Sequence, residues 1–247
     1  KPLDLSDDDH FKFIEICSQY KIKPTTTIFT RSRLKFIEKL NLDLLKISSF
    51  DCASFKMIEE VAKTNINHII ISTGTTYDDE IEKTVKILKS YKKNFSLLHC
   101  VSIYPTPISY ANLNRINFLK KFTKSVGFSD HSRSEVDGIK LSVASLLFDV
   151  DFIERHFTIL DKSSTKDGVV SLNPNELKEL VKISKKDKTQ IKEYLESNFK
   201  NYSDSFGADR RELSHEEILN RDYYRGRFAS INSNGDYIYN WEDKDIQ

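Results

Sequence analysis

The sequence predicts an α/β protein built on a parallel sheet, and three observations carry that reading. Short β-rich runs alternate with longer stretches of helical period up to about residue 185, the order of successive βα units. Most of the short runs are apolar almost throughout, as strands covered by helices should be. Hydroxyls, histidines and acids then gather where those runs end, the edge at which parallel barrels place their chemistry.

The strand candidates are residues 25–29, 44–48, 68–72, 95–100, 125–129 and 150–154. Ahead of the first, Ser6 is a helix N-cap. Its first turn holds Asp7, Asp8 and Asp9, favoured at the positive end of the dipole, and Phe13, Cys17 and Tyr20 share one face. Leu34, Ile37 and Leu40 mark a second helix, and Ile58, Val61 and Ala62 a third. Thr76 with Asp79 resembles a capping box ahead of Ile81, Val85 and Leu88, a helical repeat. Leu113, Ile116 and Leu119 mark a fifth helix; Val136, Ile139, Val143 and Leu147 mark a sixth. Asn173-Pro174 with Glu176 opens a seventh: a cap, a proline at the first helical position and an acid at the third.

Six strands are two short of the eight that close a parallel barrel, and the chain begins on a helix. Two architectures meet these constraints: an open doubly wound sheet, or a (β/α)8 TIM barrel lacking its first two βα units. Residues 1–185 hold this partial-barrel pattern, and from Lys185-Lys186-Asp187-Lys188 the character turns polar and charged. Residues 186–247 are therefore expected as a helical, polar extension. Its last stretch, 232–247, is rich in Asn and Asp around Tyr237, Tyr239 and Trp241, and reads as an extended arm or linker. The opening Lys1-Pro2, without an initiator Met, reads as that of a processed, trimmed or partly covered chain.

The 247 residues carry 38 Lys and Arg against 37 Asp and Glu, a net charge of +1 that gives no general field for nucleic acid. No run reaches the roughly 18 apolar residues of a membrane span; the best, residues 141–153, is broken by Asp149 and Asp151. Cys17, Cys52 and Cys100 are odd in number, far apart and without a Cys-x-x-Cys pair, which suits a reducing compartment. There is no signal peptide, and a cytoplasmic location is expected.

Strand by strand, the carboxyl ends give Thr27; Lys46 and Ser49; Ser72-Thr73-Gly74; His99, Ser102 and Tyr104; Ser129-Asp130-His131; and Glu154, His156 and Thr158. His99, His131 and His156 end consecutive strands, where two or more imidazoles could converge on one divalent cation and leave positions open for water and a substrate oxygen. The alternative is that each is an ordinary hydrogen-bonded histidine. Lys46, Ser49, Ser72 and Ser129 make a candidate oxyanion cradle, although serines at strand ends are common. Asp130 either orients His131 or caps the helix that starts near Ser132. Cys100, at the end of a buried strand, reads as a packed thiol more than a nucleophile.

Five motifs then stand in succession: Leu45-Lys46-Ile47-Ser48-Ser49, Ile71-Ser72-Thr73-Gly74, Leu98-His99-Cys100-Val101-Ser102-Ile103-Tyr104-Pro105-Thr106-Pro107, Val126-Gly127-Phe128-Ser129-Asp130-His131-Ser132 and Ile153-Glu154-Arg155-His156-Phe157-Thr158. In order and spacing they resemble the sialic acid synthase family over roughly residues 3–185. Members condense phosphoenolpyruvate with an N-acetylated amino sugar to make sialic, legionaminic or pseudaminic acid. The resemblance implies that His131 and His156 are ligands of a manganese or magnesium ion. It implies that Lys46, Ser49, Ser72, Ser102, Tyr104 and Ser129 hold phosphoenolpyruvate, with Thr27 at the end of its barrel strand. Asp167 falls where the family carries an acid near metal and sugar, so Asp167 and Tyr104 are the catalytic candidates.

This sequence departs from the family in places. The turn before the acid reads Ser164-Thr165-Lys166-Asp167 instead of Pro-Gly-Pro-Asp, Ser102 stands where some members have Asn, and Ile28 replaces a proline. The Glu and Asn-His of the family's first strand, the Lys of its second and its C-terminal antifreeze-like domain are not in this sequence. The expected activity is a metal-dependent synthase of nonulosonic acids, working as a homodimer. One rival is a degenerate or split member acting as a non-catalytic binding or assembly module. Another is a histidine-metal hydrolase, which lacks the His-x-His pair it would need.

Overall fold

The computed structural model describes residues 5–246; the Lys1-Pro2 opening and Gln247 lie outside the described residues. Six strands form one parallel sheet: β1 (Thr25–Ile28), β2 (Leu44–Ile47), β3 (His68–Ser72), β4 (Asn94–Cys100), β5 (Val126–Asp130) and β6 (Phe152–Arg155). Each expected strand is there, shifted by at most two residues at either end. Between them run α2 (Leu34–Lys39), α3 (Phe55–Ala62), α4 (Asp78–Ser90), α5 (Arg115–Leu119), α6 (Ser134–Asp137) and α7 (Lys140–Ser145), with α1 (Asp7–Gln19) ahead of β1 and α8 (Pro174–Ile183) after β6.

The sheet order is β1-β2-β3-β4-β5-β6, strictly sequential. A doubly wound sheet reverses direction at a switch point, whereas a barrel advances one strand per crossover. The order therefore decides for a TIM-barrel-like arc. Its curvature has a direct witness, because Lys46 on β2 and Glu154 on β6 meet at 2.7 Å. In a flat sheet those strands, four spacings apart, would stand about 19 Å from each other, beyond the reach of the two side chains.

Alternation along each strand sends one row of side chains out to the helices and the other inward. The outward row, Ile28, Leu45, Ile47, Ile69, Ile71, Leu97 and Phe128, is at most 2% exposed. Over it pack Met57, Ile58 and Val61 of α3, Ile81, Val85 and Leu88 of α4, and Leu141 and Val143 of α7, all nearly or wholly buried. The inward row of Thr27, Lys46 and Ile70, in mutual register, stays only half-buried.

Several local expectations hold and several shift. Ser6 and Asp9 close a capping box on α1, and Asn173 and Glu176 close another on α8. On α4 the box moves one residue, to Glu80 and the Tyr77 N–H at 3.0 Å, because the Thr76 hydroxyl turns inward to the carbonyls of Gly74 and Ser49. The sixth helix is broken into α6 and α7 at Gly138, whose φ of +56° lies in the left-handed region. On α1 only Cys17 of the expected apolar face is buried. Phe13 is 48% and Tyr20 73% exposed, since β1 is the sheet's edge and among the described residues no strand lies beyond it.

The extension carries α9 (Lys188–Asn198), α10 (His215–Arg225) and an antiparallel hairpin of β7 (Ala229–Ile231) and β8 (Tyr237–Tyr239). The tail expected as an extended arm folds back instead. Ile238 is 2% exposed, and the Arg31 guanidinium donates to the carbonyls of Glu242 (2.9 Å) and Lys244 (2.8 Å).

Two outward-row polar groups decide how the fold responds to substitution and acid. Asp130 and Arg155, side chains 0% and 3% exposed, pair at 2.5 Å, with Ser142 also donating to Asp130. Asp130 thus neither orients His131 nor caps a full helix; it neutralises a buried guanidinium and accepts from the Ser132 N–H. Asp130→Ala is expected to cost about 3–5 kcal/mol in urea unfolding, by stranding Arg155, and Asp130→Leu with Arg155→Met to cost less.

His99 also faces outward, wholly buried, with Nε2 2.7 Å from the Ala111 carbonyl, so it does not join the other two histidines. Burial pushes its pKa down from 6.5 to about 3. Between those values the unfolded chain binds a proton that the folded chain refuses, so stability rises with pH there and is lost on acidification, by up to about 1.4 kcal/mol per pH unit. His99→Gln should flatten that limb of a stability–pH curve; an identical slope in the variant would overturn the assignment.

Candidate active site

At the carboxyl ends of the strands, inward-facing polar groups converge from β2, β5 and β6. Glu154 is the hub. It accepts from Lys46 Nζ at 2.7 Å and from Ser129 Oγ at 2.8 Å. Burial works to raise its pKa, but the Lys46 charge and the two donors outweigh it and hold the carboxyl below its ordinary range. Sequence reading placed Glu154 at a strand end without giving it a part. The usable signal was parity: Glu154 sits two residues before His156, hence on the same face.

His131 and His156 do come together, ring centroids 5.4 Å apart, with the Tyr104 ring 4.1 Å from His131 and 5.9 Å from His156. His131 is pushed down to about 4, by burial first and then by His156, and His156 is lowered mainly by burial, against the pull of Asp167. Both rings are neutral at pH 7. His131 Nδ1 lies 3.1 Å from the Val101 carbonyl, an acceptor only, so Nδ1 carries the proton and Nε2 keeps a lone pair. Ser129 lies 3.2 Å from that Nε2, but its single hydroxyl proton serves the shorter contact to Glu154. His156 Nδ1 stands 3.8 Å from Asp167 Oδ2, whose side chain is half exposed.

A third group surrounds Gly74. Its N–H donates to Ser49 Oγ at 3.2 Å, and Ser49 Oγ lies 2.9 Å from Cys100 Sγ. A side chain at Gly74 would collide with Ser102 Oγ, Cys100 Sγ and Ser49 Oγ, so only glycine lets these loops close in. The hydroxyls of Ser72 and Ser102 are buried with no partner among the described residues. Burial raises the Cys100 pKa, which keeps the thiol protonated and packed. Thr27 stands beside Lys46 in register on β1.

The donor set can be tested against a divalent cation. Among the described residues no three or more His, Cys, Asp or Glu side chains gather closely enough to hold an ion by themselves. Two neutral imidazoles do, however, present adjacent rings, one of them oriented from behind by a backbone carbonyl in the manner of metal-ligating histidines. That set fits a cation bound by two nitrogens with its other positions open to oxygen ligands.

The α10 helix, unassigned from sequence, forms part of the rim. Asn220 Nδ2 donates to the Ser102 carbonyl (2.8 Å), Arg221 to the Thr75 carbonyl (2.6 Å), and Tyr224 stacks on Phe50 at 4.4 Å.

Comparison with known proteins matches residues 1–194 to the NeuB family model. An N,N'-diacetyllegionaminic acid synthase of Campylobacter jejuni is 34% identical over 182 residues, 72% of this chain and 53% of its own. An N-acetylneuraminate-9-phosphate synthase of Drosophila melanogaster is 31% identical over 181 residues, 72% of this chain and 47% of its own. The chain thus spans about half the length of the curated relatives it matches. Among solved structures, the N-acetylneuraminic acid synthetase of Leptospira borgpetersenii, in complex with citrate, aligns with a TM-score of 0.68 at 29% identity, covering 90% of this chain and 71% of that one. The five motifs, the sequential parallel sheet and the match over most of the chain agree: this protein belongs to the NeuB family, that of the sialic, legionaminic and pseudaminic acid synthases.

Proposed function

We propose that this chain carries the anion-binding and carbonyl-activating side of a synthase that joins phosphoenolpyruvate to an N-acetylated amino sugar, giving a nonulosonic acid and phosphate. The observation that carries the reading is the convergence, at one rim of the curled sheet, of the Lys46–Glu154–Ser129 network with the neutral His131–His156 pair. Family membership supports the general kind of reaction. We further propose that the open edges of β1 and β6 are completed by two more βα units, which would close the arc to the eight strands of a barrel.

In the proposed reaction the terminal carbon of phosphoenolpyruvate bonds to the sugar's aldehyde carbon. Water adds to the former enol carbon, and phosphate leaves with carbon–oxygen cleavage. A manganese or magnesium ion held by His131 and His156 would supply Lewis-acid polarisation of the aldehyde oxygen. Lys46 and the hydroxyls of Ser49, Ser72, Ser102 and Ser129 would hold the phosphate and carboxylate, the unpartnered Ser72 and Ser102 hydroxyls being free to donate without breaking an existing bond. Glu154 fixes Lys46 and Ser129 in place, so the cradle is formed before the ligand arrives. The Tyr104 ring lies against His131 and meets His156 edge-on, and would bound the space in front of the two imidazoles. Asp167, 3.8 Å from His156, would accept a proton or orient that ring once drawn closer. Homodimer formation and a cytoplasmic setting belong to the same proposal.

Two variants of the full-length protein test it. His131→Ala should lower metal-dependent phosphate release at least about a hundredfold with little change in melting temperature; unchanged turnover would refute the ligand assignment. Lys46→Met should raise the KM for phosphoenolpyruvate roughly ten- to a hundredfold, the worth of a charged hydrogen bond. Should neither substrate be consumed by the unaltered protein with manganese or magnesium present, the non-catalytic assembly role would stand in its place.

A further inference from the structure

The turn that follows β2 divides its three residues between two tasks. Ser49 reaches into the cradle, where its hydroxyl accepts from the Gly74 N–H at 3.2 Å. Its neighbours Phe50 and Asp51 turn the other way, to the C-terminal extension. Tyr224 stacks on Phe50 at 4.4 Å, and Asn240, 2% exposed, donates from one Nδ2 to both Asp51 Oδ1 and the Phe29 carbonyl, each at 2.9 Å. The Asn240 carbonyl in turn accepts from the Met57 N–H of α3 at 3.2 Å. One side chain thus ties the end of β1, the turn after β2 and, through its backbone, the start of the next helix.

Asp51 spreads the constraint. It is 4% exposed and also accepts from Ser48 Oγ (3.2 Å), just before the turn, and from Ser54 Oγ (2.9 Å), at the N-cap of α3. Further along the tail, Arg31 donates to the carbonyls of Glu242 and Lys244, and Lys56 to Asp243 at 2.5 Å. All of these tail residues lie beyond residue 194, where the family match ends.

We propose that Asn240 is a positioning residue for the anion cradle: through Asp51 it fixes the turn that aims the Ser49 hydroxyl at Gly74, with the Tyr224–Phe50 stack as the second half of the clamp. The inference rests on the reading of that cradle as the phosphoenolpyruvate site. Only the amide nitrogen is engaged, Oδ1 being buried without a partner among the described residues, so the clamp acts through the two Nδ2 bonds.

The test is titration of the full-length protein and its variants with inorganic phosphate and with phosphoenolpyruvate, by calorimetry, alongside melting curves and steady-state kinetics. Asn240→Ala should weaken both anions roughly three- to tenfold and raise the KM for phosphoenolpyruvate with kcat nearly kept, and Asn240→Gln should recover part of the loss. Tyr224→Ala, at a half-buried position, should weaken the same anions and keeps the test open if Asn240→Ala proves too unstable to assay. Ser49→Ala separates the two levels of the argument. If Ser49→Ala weakens the anions while neither Asn240→Ala nor Tyr224→Ala does, the clamp is refuted and the cradle stands. If Ser49→Ala leaves both anions unaffected, the cradle reading itself fails, and the clamp with it. A lower melting temperature with unaltered anion affinity would make Asn240 a purely structural residue and overturn the proposal.

Discussion

The curl of the parallel sheet is the constraint on which the rest depends. Lys46 and Glu154 belong to strands that are not neighbours, and they touch only because the four strand pairings between them each turn in the same sense. Flatten that arc and Glu154 loses Lys46, Ser129 loses the alignment of its proton, and the imidazoles move off the cradle. Small residues let the arc close. A side chain on Gly127 would run into the Phe152 ring at 2.5–2.7 Å, so glycine here lets β6 lay its inward aromatic against β5. Gly74 does the same at the rim, where a methyl group would push apart the loops that carry Ser49, Cys100 and Ser102.

Much of this was legible in the sequence, for reasons that also mark where legibility ends. Strands such as Leu44–Ile47 and His68–Ser72 announce themselves because a strand buried beneath helices must be apolar nearly throughout. That signal says nothing about strand order, so a barrel and a doubly wound sheet read alike until β3 is seen paired with β4 in one unbroken sequential order. It also leaves each residue's face open to an error of one position. His99 and Cys100 are adjacent, yet Cys100 joins the cradle and His99 is sealed among the helices. Glu154 stands among the strand-end residues but takes no role from sequence, because a strand-end acid is unremarkable until its partner, 108 residues earlier, is known. Asn240 lay further out of reach, since its partner Asp51 is 189 residues away and an Asn/Asp-rich tail gives no periodic cue. On α1, the exposure of Phe13 and Tyr20 depends on what stands beyond β1, which no local pattern encodes.

The buried hydroxyls of Ser72 and Ser102 are costly features that packing alone does not explain. An unpaired buried polar group costs about 1–3 kcal/mol, and alanine at either place would fill nearly the same volume without that cost. Preorganised donors have this property: they are held in position before the charge they serve is present, so no rearrangement is needed when it arrives. The same holds for His131, whose Nδ1 is occupied by the Val101 carbonyl and whose Nε2 lone pair is left over.

Charge balance then sets a condition on any anion bound here. Among the described residues Lys46 is the one ammonium in the cradle, and Glu154 already engages it at 2.7 Å. Both imidazoles are held neutral, His131 down to about 4. Lys46, Glu154 and the two rings therefore sum to about zero, before Asp167 beside His156 is counted, while phosphoenolpyruvate brings a phosphate and a carboxylate. Dipoles of hydroxyls and of the Gly74 amide offset part of that charge but add no net positive charge of their own. The proposed chemistry thus asks for positive charge that this constellation does not hold by itself. Two neutral nitrogens with open positions beside them are the feature through which a divalent cation would supply it, and the edges of β1 and β6 are where further basic side chains would have to enter.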